Sequence, residues 1–205
     1  LIDICSIDIE TYFDSSGFPE PDKAEQSILT IALKSSKEDI YRIWGLKAYD
    51  TTRGGARKEY RRFNSEVEML PDFITWWSDL PNTPDVITGW NIRGFDVPYI
   101  VNRLARVLGI DMAKRLSPWG SVEQKSVVIK GREMTFFDIS GIQQLDYLEL
   151  FKKFGYTYGA QESYKLDHIA FVVLGERKLD YGEHGSLMKL YENDFQTYVD
   201  YNIKD

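Results

Sequence analysis

The chain opens on a stretch in which apolar and polar residues alternate. In residues 1–10, acidic and small residues separate four isoleucines: Ile2, Ile4, Ile7 and Ile9. A period of two is typical of a strand with one buried face, and the pattern has a single irregularity near Cys5-Ser6. We therefore predict that the first ten residues form a strand that belongs to the core of a sheet.

Two further strands are predicted soon after the first. Residues 27–35 and 39–46 are rich in β-branched and aromatic side chains, and a short polar turn separates them. Such a short connection favours an antiparallel pair. Residues 50–65 are charged, contain glycine and lack any period, so we expect a surface loop or a flexible insertion there.

The next segment predicts a helix, a strand and a second helix. Residues 65–80 carry apolar side chains at helical spacing, with Ser65 as the expected cap and Glu68 three residues later. A short buried strand is expected at 85–90. Residues 96–109 then predict a helix with a proline in its first turn and a glycine at its end.

The second half of the chain predicts a hairpin and several helices. Residues 122–138 have the pattern of a hairpin that turns at Lys130-Gly131. A buried strand that runs into a helix is predicted for 141–155, a helix for 163–175, and one or two helices for 185–205. Because helices and strands alternate, the chain is predicted to be an α/β layer protein, with residues 1–205 as a single domain.

Composition narrows the class of protein. The 205 residues include one cysteine, Cys5, so the chain has no internal disulfide and no zinc site built on paired cysteines. No apolar run approaches the roughly 18 residues of a membrane span, and the first residues are acidic rather than basic, so we expect a soluble protein without membrane contact.

The net charge of −7 argues against a protein that grips a long tract of nucleic acid by neutralising its phosphates. A bound cation would make the electrostatic potential around it positive even though the chain as a whole is acidic. An acidic surface is therefore compatible with a phosphate substrate at one metal-loaded cleft.

Two carboxylates in the first strand are candidate metal ligands. Asp8 and Glu10 are two residues apart, so both side chains point to the same face of the sheet. The alternative is the solvated face of an edge strand, because short motifs of this kind often arise by chance. If the strand is central, the two carboxylates repel each other unless a cation lies between them.

Three more residues join this candidate group. Asp96 follows a strand and a tight turn, where it would be either a helix cap or a metal ligand. Tyr201 and Asp205 are four residues apart, so a helix would place them on one face. With 13 tyrosines in the chain, this spacing alone is weak evidence.

Taken together, these groups indicate a reaction. Ligands that are all carboxylate oxygens suit Mg²⁺ or Mn²⁺ better than zinc, and four carboxylates can hold two such ions. Two ions of this kind stabilise the attacking and leaving oxygens of a phosphoryl displacement. The sequence therefore predicts hydrolysis of a phosphodiester.

The same residues resemble a known family. DIE at 8–10, NIRGFD at 91–96 and YNIKD at 201–205 resemble the three exonuclease motifs of the 3′→5′ proofreading domain of family B DNA polymerases. Flanking sequence segments such as FPEPDKAE and LDYLELFKKF are similar to the replicative polymerases of T-even-like bacteriophages. The resemblance runs from about Cys5 to Asp205 and implies an RNase H-like mixed sheet with helices on both faces and an inserted hairpin.

The resemblance also implies a role for each motif residue. Asp8 would contact both of two divalent ions, Mg²⁺ or Mn²⁺, while Glu10 and Asp205 would complete the site of the ion on the nucleophile side. Asp96 would serve the second ion, and Tyr201 would position the attacking water. The expected products are deoxynucleoside 5′-monophosphates released singly from a 3′ end.

Less specific expectations concern substrate contacts. Lys178 aligns with a lysine that contacts phosphate in related phage enzymes, and Asn91 and Phe95 belong to the second motif. Phe95 would pack either on the terminal base or in the core. Thr11 and Tyr99 are further candidates to line the cleft.

One test separates two subclasses of such exonucleases. The sister subclass uses a histidine five residues before the last aspartate, and here position 200 is Asp200. Neither His168 nor His184 has an aspartate five residues later. The histidine subclass is excluded, and we expect His168 to be a helix residue and His184 a loop residue.

The resemblance further implies a setting for the domain. The motifs of a polymerase active site are absent from these 205 residues, so we expect the chain to be a piece of a longer polymerase. Its expected partners are the single-stranded 3′ end of DNA, the rest of the polymerase chain, a sliding clamp and other replisome proteins, in the cytoplasm of an infected bacterium. Two alternatives remain open: an RNase H-like endonuclease or RNA exonuclease, and a non-catalytic remnant that binds DNA or a protein.

Overall fold

A computed structural model describes residues 2–14, 17–129 and 131–205. Eight strands lie within the described residues: β1 Ile4–Thr11, β2 Ile28–Ser35, β3 Tyr41–Gly45, β4 Lys58–Arg62, β5 Val86–Gly89, β6 Val122–Ile129, β7 Arg132–Ile139 and β8 Gln143–Asp146. Six of them form one sheet and the other two form a hairpin.

The larger sheet places β1 near its middle. The strand order is β4-β3-β2-β1-β5-β8. β1 pairs antiparallel with β2 and parallel with β5, and β2 pairs antiparallel with β3. Because β1 has neighbours on both sides, the carboxylates that it carries do not lie on an edge strand.

Helices cover both faces of the sheet. Their bounds within the described residues are α1 Glu66–Trp77, α2 Asp96–Leu108, α3 Ile110–Lys114, α4 Tyr147–Phe154, α5 Leu166–Leu174, α6 Leu187–Asn193 and α7 Phe195–Lys204. Together with the separate hairpin, this confirms the predicted mixed sheet with helices on both faces. None of the helices within the described ranges is both long and apolar enough to cross a membrane.

The two faces of β1 pack against different layers. Cys5, Ile7 and Ile9 belong to the larger core, which includes apolar side chains from α1 and α2. On the opposite face, Asp8 and Glu10 are half-buried. That side of the sheet has a smaller core, in which β2 and β3 meet α6 and α7: Leu29, Ala32, Ile43, Leu190, Phe195, Tyr198 and Val199.

One local prediction was wrong and another was right only in part. The segment 50–65 is not entirely a loop, because Lys58–Arg62 forms β4, a strand that pairs parallel with β3. Ser65 is the N-cap residue of α1 as expected, but its side chain makes no capping hydrogen bond. The pairing of β1 with β2 has a register shift between Glu10 and Thr11, which the sequence pattern did not indicate.

The remaining predictions concern the hairpin and the closing helices. β6 and β7 pair antiparallel as expected, whereas Lys130, where the turn was predicted, lies outside the described residues. The closing segment forms two helices, α6 and α7. α7 begins after Asp194, whose carboxylate accepts hydrogen bonds from the backbone nitrogen and the hydroxyl of Thr197.

Candidate active site

Strand β1 and helix α7 bring three of the predicted carboxylates together. Asp8, Glu10 and Asp205 each offer an oxygen atom, and these atoms lie within 4.8 Å of one another. Asp8 and Glu10 share a face because they are two residues apart on β1. Asp205, the residue after the end of α7, lies beside them. The backbone nitrogen of Asp205 donates to the carbonyl of Tyr201, 3.2 Å away, and so continues the hydrogen bonding of the helix.

Asp96 lies next to this group but in a different environment. It is the first residue of α2 and is 4% exposed. Its Oδ1 accepts a hydrogen bond of 3.2 Å from the backbone nitrogen of Ile9, between the two carboxylates of β1. Asp96 therefore ties the start of α2 to β1. The residue that precedes α2, Phe95, makes no side-chain capping bond.

The electrostatics of the group are unfavourable when no cation is present. Burial raises the pKa of Asp8 well above its usual range, and the charges of Asp96 and Glu10 raise it further. Burial, followed by the charge of Asp205, raises the pKa of Glu10 to about 8. Burial also raises the pKa of Asp96 to about 7, despite its backbone hydrogen bonds. Closely spaced, desolvated carboxylates of this kind favour a cation.

Lys178 supplies a positive charge from within the chain. Its ammonium forms an ion pair with Asp205 and donates to the hydroxyl of Tyr201, 3.0 Å away. Burial lowers the pKa of Lys178, but the Asp205 carboxylate and the Tyr201 hydroxyl outweigh this effect and raise it above its usual value. Lys178, which was predicted to contact phosphate, thus lies between the tyrosine and the last carboxylate of the site.

Within the described residues, one oxygen of the carboxylate group and one beside it are buried without a hydrogen-bond partner. Asp205 Oδ1 and Asn202 Oδ1 are buried and have no hydrogen-bond partner among the described residues. Asn202 is 1% exposed, and its Nδ2 donates to Asp8 Oδ2 over 2.5 Å. Unpaired oxygen acceptors beside three convergent carboxylates fit a hard divalent cation and its bound water.

The turn between β5 and α2 is held by a carboxylate that the sequence reasoning missed. Asp146 ends β8 and accepts hydrogen bonds from the backbone nitrogens of Asn91 and Arg93, at 3.1 and 2.9 Å. It also accepts from the backbone nitrogen of Leu148 at the start of α4. A strand that ends in Asp before a helical pattern is a recognisable cap signal, but its bond to a distant turn depends on the tertiary fold.

The other predicted cleft residues occupy different positions. Asn91 is exposed and adopts a φ of 62°, a left-handed conformation that asparagine tolerates better than most residues. Phe95 is half-buried, and its ring centroid lies 5.5 Å from that of Tyr99. Tyr99 is fully buried and donates to the carbonyl of Gln26, whereas Thr11 is 5% exposed. Tyr99 does not line the cleft.

The residues of the subclass test do not contact the carboxylates. Asp200 accepts hydrogen bonds from Tyr49 and Lys58. His168 lies on α5, as expected, with its Nε2 3.1 Å from Gln161 Oε1. His184 ends a short 3₁₀ helix instead of lying in an irregular loop.

A groove of about 990 Å³ runs between the hairpin and α4. Arg93, Lys152 and Lys153 contribute positive charge to its lining, and the Arg93 guanidinium lies 4.4 Å from the centre of the Phe136 ring. Glu149 offsets part of this charge through its ion pair with Arg93. Asn91, in the turn between β5 and α2, also lines the groove.

The amino-acid sequence of the chain also matches the model of a described protein family. Residues 1–169 match the model of the DNA polymerase family B exonuclease domain. The chain belongs to this family. The matched region contains Asp8, Glu10 and Asp96, but it ends before Tyr201 and Asp205.

Similarity to individual proteins extends across the second part of the chain. The DNA-directed DNA polymerase of Escherichia phage RB69 is 33% identical over an alignment that covers 100% of this chain and 24% of that protein. The enzyme of Enterobacteria phage T4 is 34% identical over 98% of this chain and 24% of its own length. The DNA polymerase delta catalytic subunit of Mesocricetus auratus is 28% identical over an alignment that covers 95% of this chain and 18% of that protein. The resemblance to phage polymerases is thereby confirmed, and the chain spans about a quarter of the length of these phage relatives.

Proposed function

We propose that the chain removes deoxynucleoside 5′-monophosphates one at a time from the 3′ end of DNA, as the proofreading domain of a family B DNA-directed DNA polymerase. The observation that carries this proposal is the meeting of Asp8, Glu10 and Asp205, with oxygens within 4.8 Å of one another on a central strand and a facing helix. Membership of the exonuclease-domain family supports the same reaction.

We further propose that the site takes two divalent cations, Mg²⁺ or Mn²⁺. Asp8, Glu10 and Asp205 would hold one ion, and Asp96, with Asp8, would hold the other. Such ions make bound water a stronger nucleophile near neutral pH and stabilise negative charge on the phosphate.

The chain's own residues would supply orientation and charge. Tyr201 presents a hydroxyl that can both accept and donate a hydrogen bond, which suits a group that orients the attacking water. Lys178 lies 3.0 Å from that hydroxyl and would offer its ammonium to the phosphate once Asp205 is paired with a cation. Phe95 and Asn91 lie around the start of α2, where they would contact the terminal nucleotide. Thr11 remains a weaker candidate for that role.

The groove between the hairpin and α4 is the region that we propose for the single strand leading to the site. Its cations and the Phe136 ring offer phosphate contacts and a stacking surface that does not depend on sequence. The rest of the polymerase chain, a sliding clamp and other replisome proteins would be the protein partners, in the cytoplasm of an infected bacterium.

The direct test uses single-stranded DNA with a label at its 5′ end. In the presence of Mg²⁺ the wild-type chain should shorten it in single-nucleotide steps from the 3′ end, and Asp8→Ala should not. A wild-type chain that binds Mn²⁺ but leaves every DNA end intact would contradict the proposal. The same substrate as a circle should remain intact, because an exonuclease needs an end.

Two alternatives predict different results in the same assay. Cleavage of circular single-stranded DNA would indicate an RNase H-like endonuclease, and preference for an RNA strand would indicate an RNA exonuclease. If Mn²⁺ neither stabilises the chain nor supports cleavage, a non-catalytic DNA- or protein-binding domain would remain.

A further inference from the structure

Asn202 lies where helix α7 crosses strand β1, and nothing in the exonuclease motifs as predicted gives it a role. Its side chain is 1% exposed, and its Nδ2 donates to Asp8 Oδ2 over 2.5 Å. Its other polar atom, Oδ1, is buried and has no partner among the described residues. Asn202 lines the same cavity as Asp8 and Asp205.

The chemistry of the amide suits this location. Asparagine offers two donor hydrogens and one acceptor oxygen, so it can bind a carboxylate and a water molecule at the same time. A hydrogen bond to an ionised carboxylate is shorter and stronger than a neutral one. Asp8 lies close to the like charges of Asp96, Glu10 and Asp205, and the Asn202 amide donates a hydrogen bond to it from α7.

We propose that Asn202 is a positioning residue, whose Nδ2 orients the Asp8 carboxylate toward Glu10 and Asp205 and whose Oδ1 accepts a hydrogen bond from water bound to a divalent cation. The inference rests on the proposed function only in that the cluster binds such a cation. Asn202 contributes no ligand atom to the ion itself. Its effect is to align a ligand on β1 with a ligand on α7.

Groups that orient a metal ligand typically change metal affinity by about tenfold to a hundredfold when they are removed. We therefore expect Asn202→Leu, which keeps the branching at Cγ but has no polar atom, to weaken Mn²⁺ binding by at least about tenfold. The measurement is calorimetric titration of the full chain with Mn²⁺ alone.

The matched control removes another hydrogen bond that anchors α7. Tyr49 donates its hydroxyl to Asp200 over 2.6 Å, and neither residue contributes to the carboxylate group. Tyr49→Phe should leave Mn²⁺ affinity within about twofold of the wild type. If Tyr49→Phe weakens binding as much as Asn202→Leu does, Asn202 acts only by anchoring the helix and the inference is wrong.

A kinetic measurement gives a second, independent readout. In single-nucleotide excision from labelled DNA, Asn202→Leu should need at least about tenfold more Mn²⁺ to reach half of its maximal rate, and most of that rate should return at saturating Mn²⁺. Loss of the maximal rate with an unchanged Mn²⁺ requirement would overturn the inference.

The possible outcomes separate the two proposals. Unchanged Mn²⁺ affinity in Asn202→Leu overturns the role of Asn202 whether or not DNA is cut. Weaker binding in the variant, together with intact DNA for both proteins, supports Asn202 and contradicts the exonuclease activity. If Asn202→Leu does not fold, Asn202→Ser replaces it, because serine fits the space but cannot reach Asp8.

Discussion

The two faces of β1 show how one strand can serve opposite purposes. Ile7 and Ile9 face the larger core and are 5% and 4% exposed. Asp8 and Glu10 alternate with these isoleucines along the strand. They face α7 and lie close to the carboxylate of Asp205. Side chains two residues apart share an environment, whereas adjacent ones differ completely.

The difference separates the source of stability from the source of function. The apolar face gains free energy from burial, roughly 25 cal/mol for each square ångström removed from water. The acidic face costs free energy, because it desolvates like charges close together. Burial of the apolar face offsets the cost of the acidic face, because a central strand that packs well on one side can carry unfavourable groups on the other.

The largest expected effect tests this contrast directly. Ile9→Ala should lower the free energy of unfolding by about 3 kcal/mol, because it leaves a cavity in the larger core. Asp8→Asn, on the adjacent residue, should raise the stability of the metal-free chain because it removes one of the repelling charges. Urea unfolding of both variants measures the two values. If Asp8→Asn destabilises the metal-free chain, the acidic face is not the costly one.

The second prediction concerns pH and only the acidic face. In the folded, metal-free chain, burial first and the neighbouring carboxylates second raise the pKa of Glu10 to about 8, and burial raises that of Asp96 to about 7. Unfolded carboxyl groups lose their protons near about pH 4. The folded chain therefore binds more protons between these values, so its stability should fall as pH rises from 5 to 8.

The fall should be about 2 kcal/mol after allowance for solvent screening at Glu10, which is half-buried. It should be absent below about pH 4, where both states are protonated. Saturating Mg²⁺ should reduce it, because the cation binds the ionised form. Thermal or urea unfolding at each pH, with and without Mg²⁺, provides the measurement, and stability that rises from pH 5 to 8 without metal would contradict it.

The third prediction asks whether positioning can be separated from charge on the acidic face. Tyr201→Phe removes only the hydroxyl that accepts from Lys178. We expect Mn²⁺ affinity to stay near the wild-type value while the excision rate falls by about tenfold, or about 1.4 kcal/mol, since the water is less well oriented. Equal losses of metal affinity and rate would show that Tyr201 holds the site together instead.

The smallest expected effect concerns the groove between the hairpin and α4, which we propose leads the DNA strand to the acidic face of β1. The double variant Lys152→Ala/Lys153→Ala should weaken binding of single-stranded DNA about threefold to fivefold and reduce its salt dependence, because two phosphate contacts are lost. Lys37→Ala/Lys114→Ala has the same net charge and neither residue lines the groove, so it should change binding little. Filter binding at several salt concentrations compares them.

Periodicity predicted most elements of the fold because β1, α2 and α7 have clear patterns and end signals. It missed β4, since Lys58–Arg62 has the charged composition of a loop and becomes a strand only by pairing with β3. It also gave no sign of the register shift between Glu10 and Thr11 in β1. Register and bulges depend on partner strands, which a single segment of sequence does not specify.

The candidate site was predictable to a similar degree. Spacing alone predicted that Asp8 and Glu10 share one face of a strand and that Tyr201 and Asp205 share one face of a helix, because both relations follow from local geometry. The contacts of Asn202 with Asp8 and of Asp146 with Asn91 join residues far apart in sequence. Helical spacing does put Asn202 three residues before Asp205, on the same side of α7, but its partner on β1 could be identified only in the folded chain.

The ion pair between Lys178 and Asp205 uses one oxygen of that carboxylate, Oδ2, whereas Oδ1 has no partner among the described residues. In the metal-bound site that we propose, a divalent ion that binds through Oδ1 alone would leave the ammonium on Oδ2, and an ion that binds through both oxygens would displace it. In the second case the tethered ammonium would compete with the ion at a fixed local concentration and raise the free metal concentration needed for occupancy. In either case the ammonium stays attached beside Tyr201, where it would be available to an incoming phosphate.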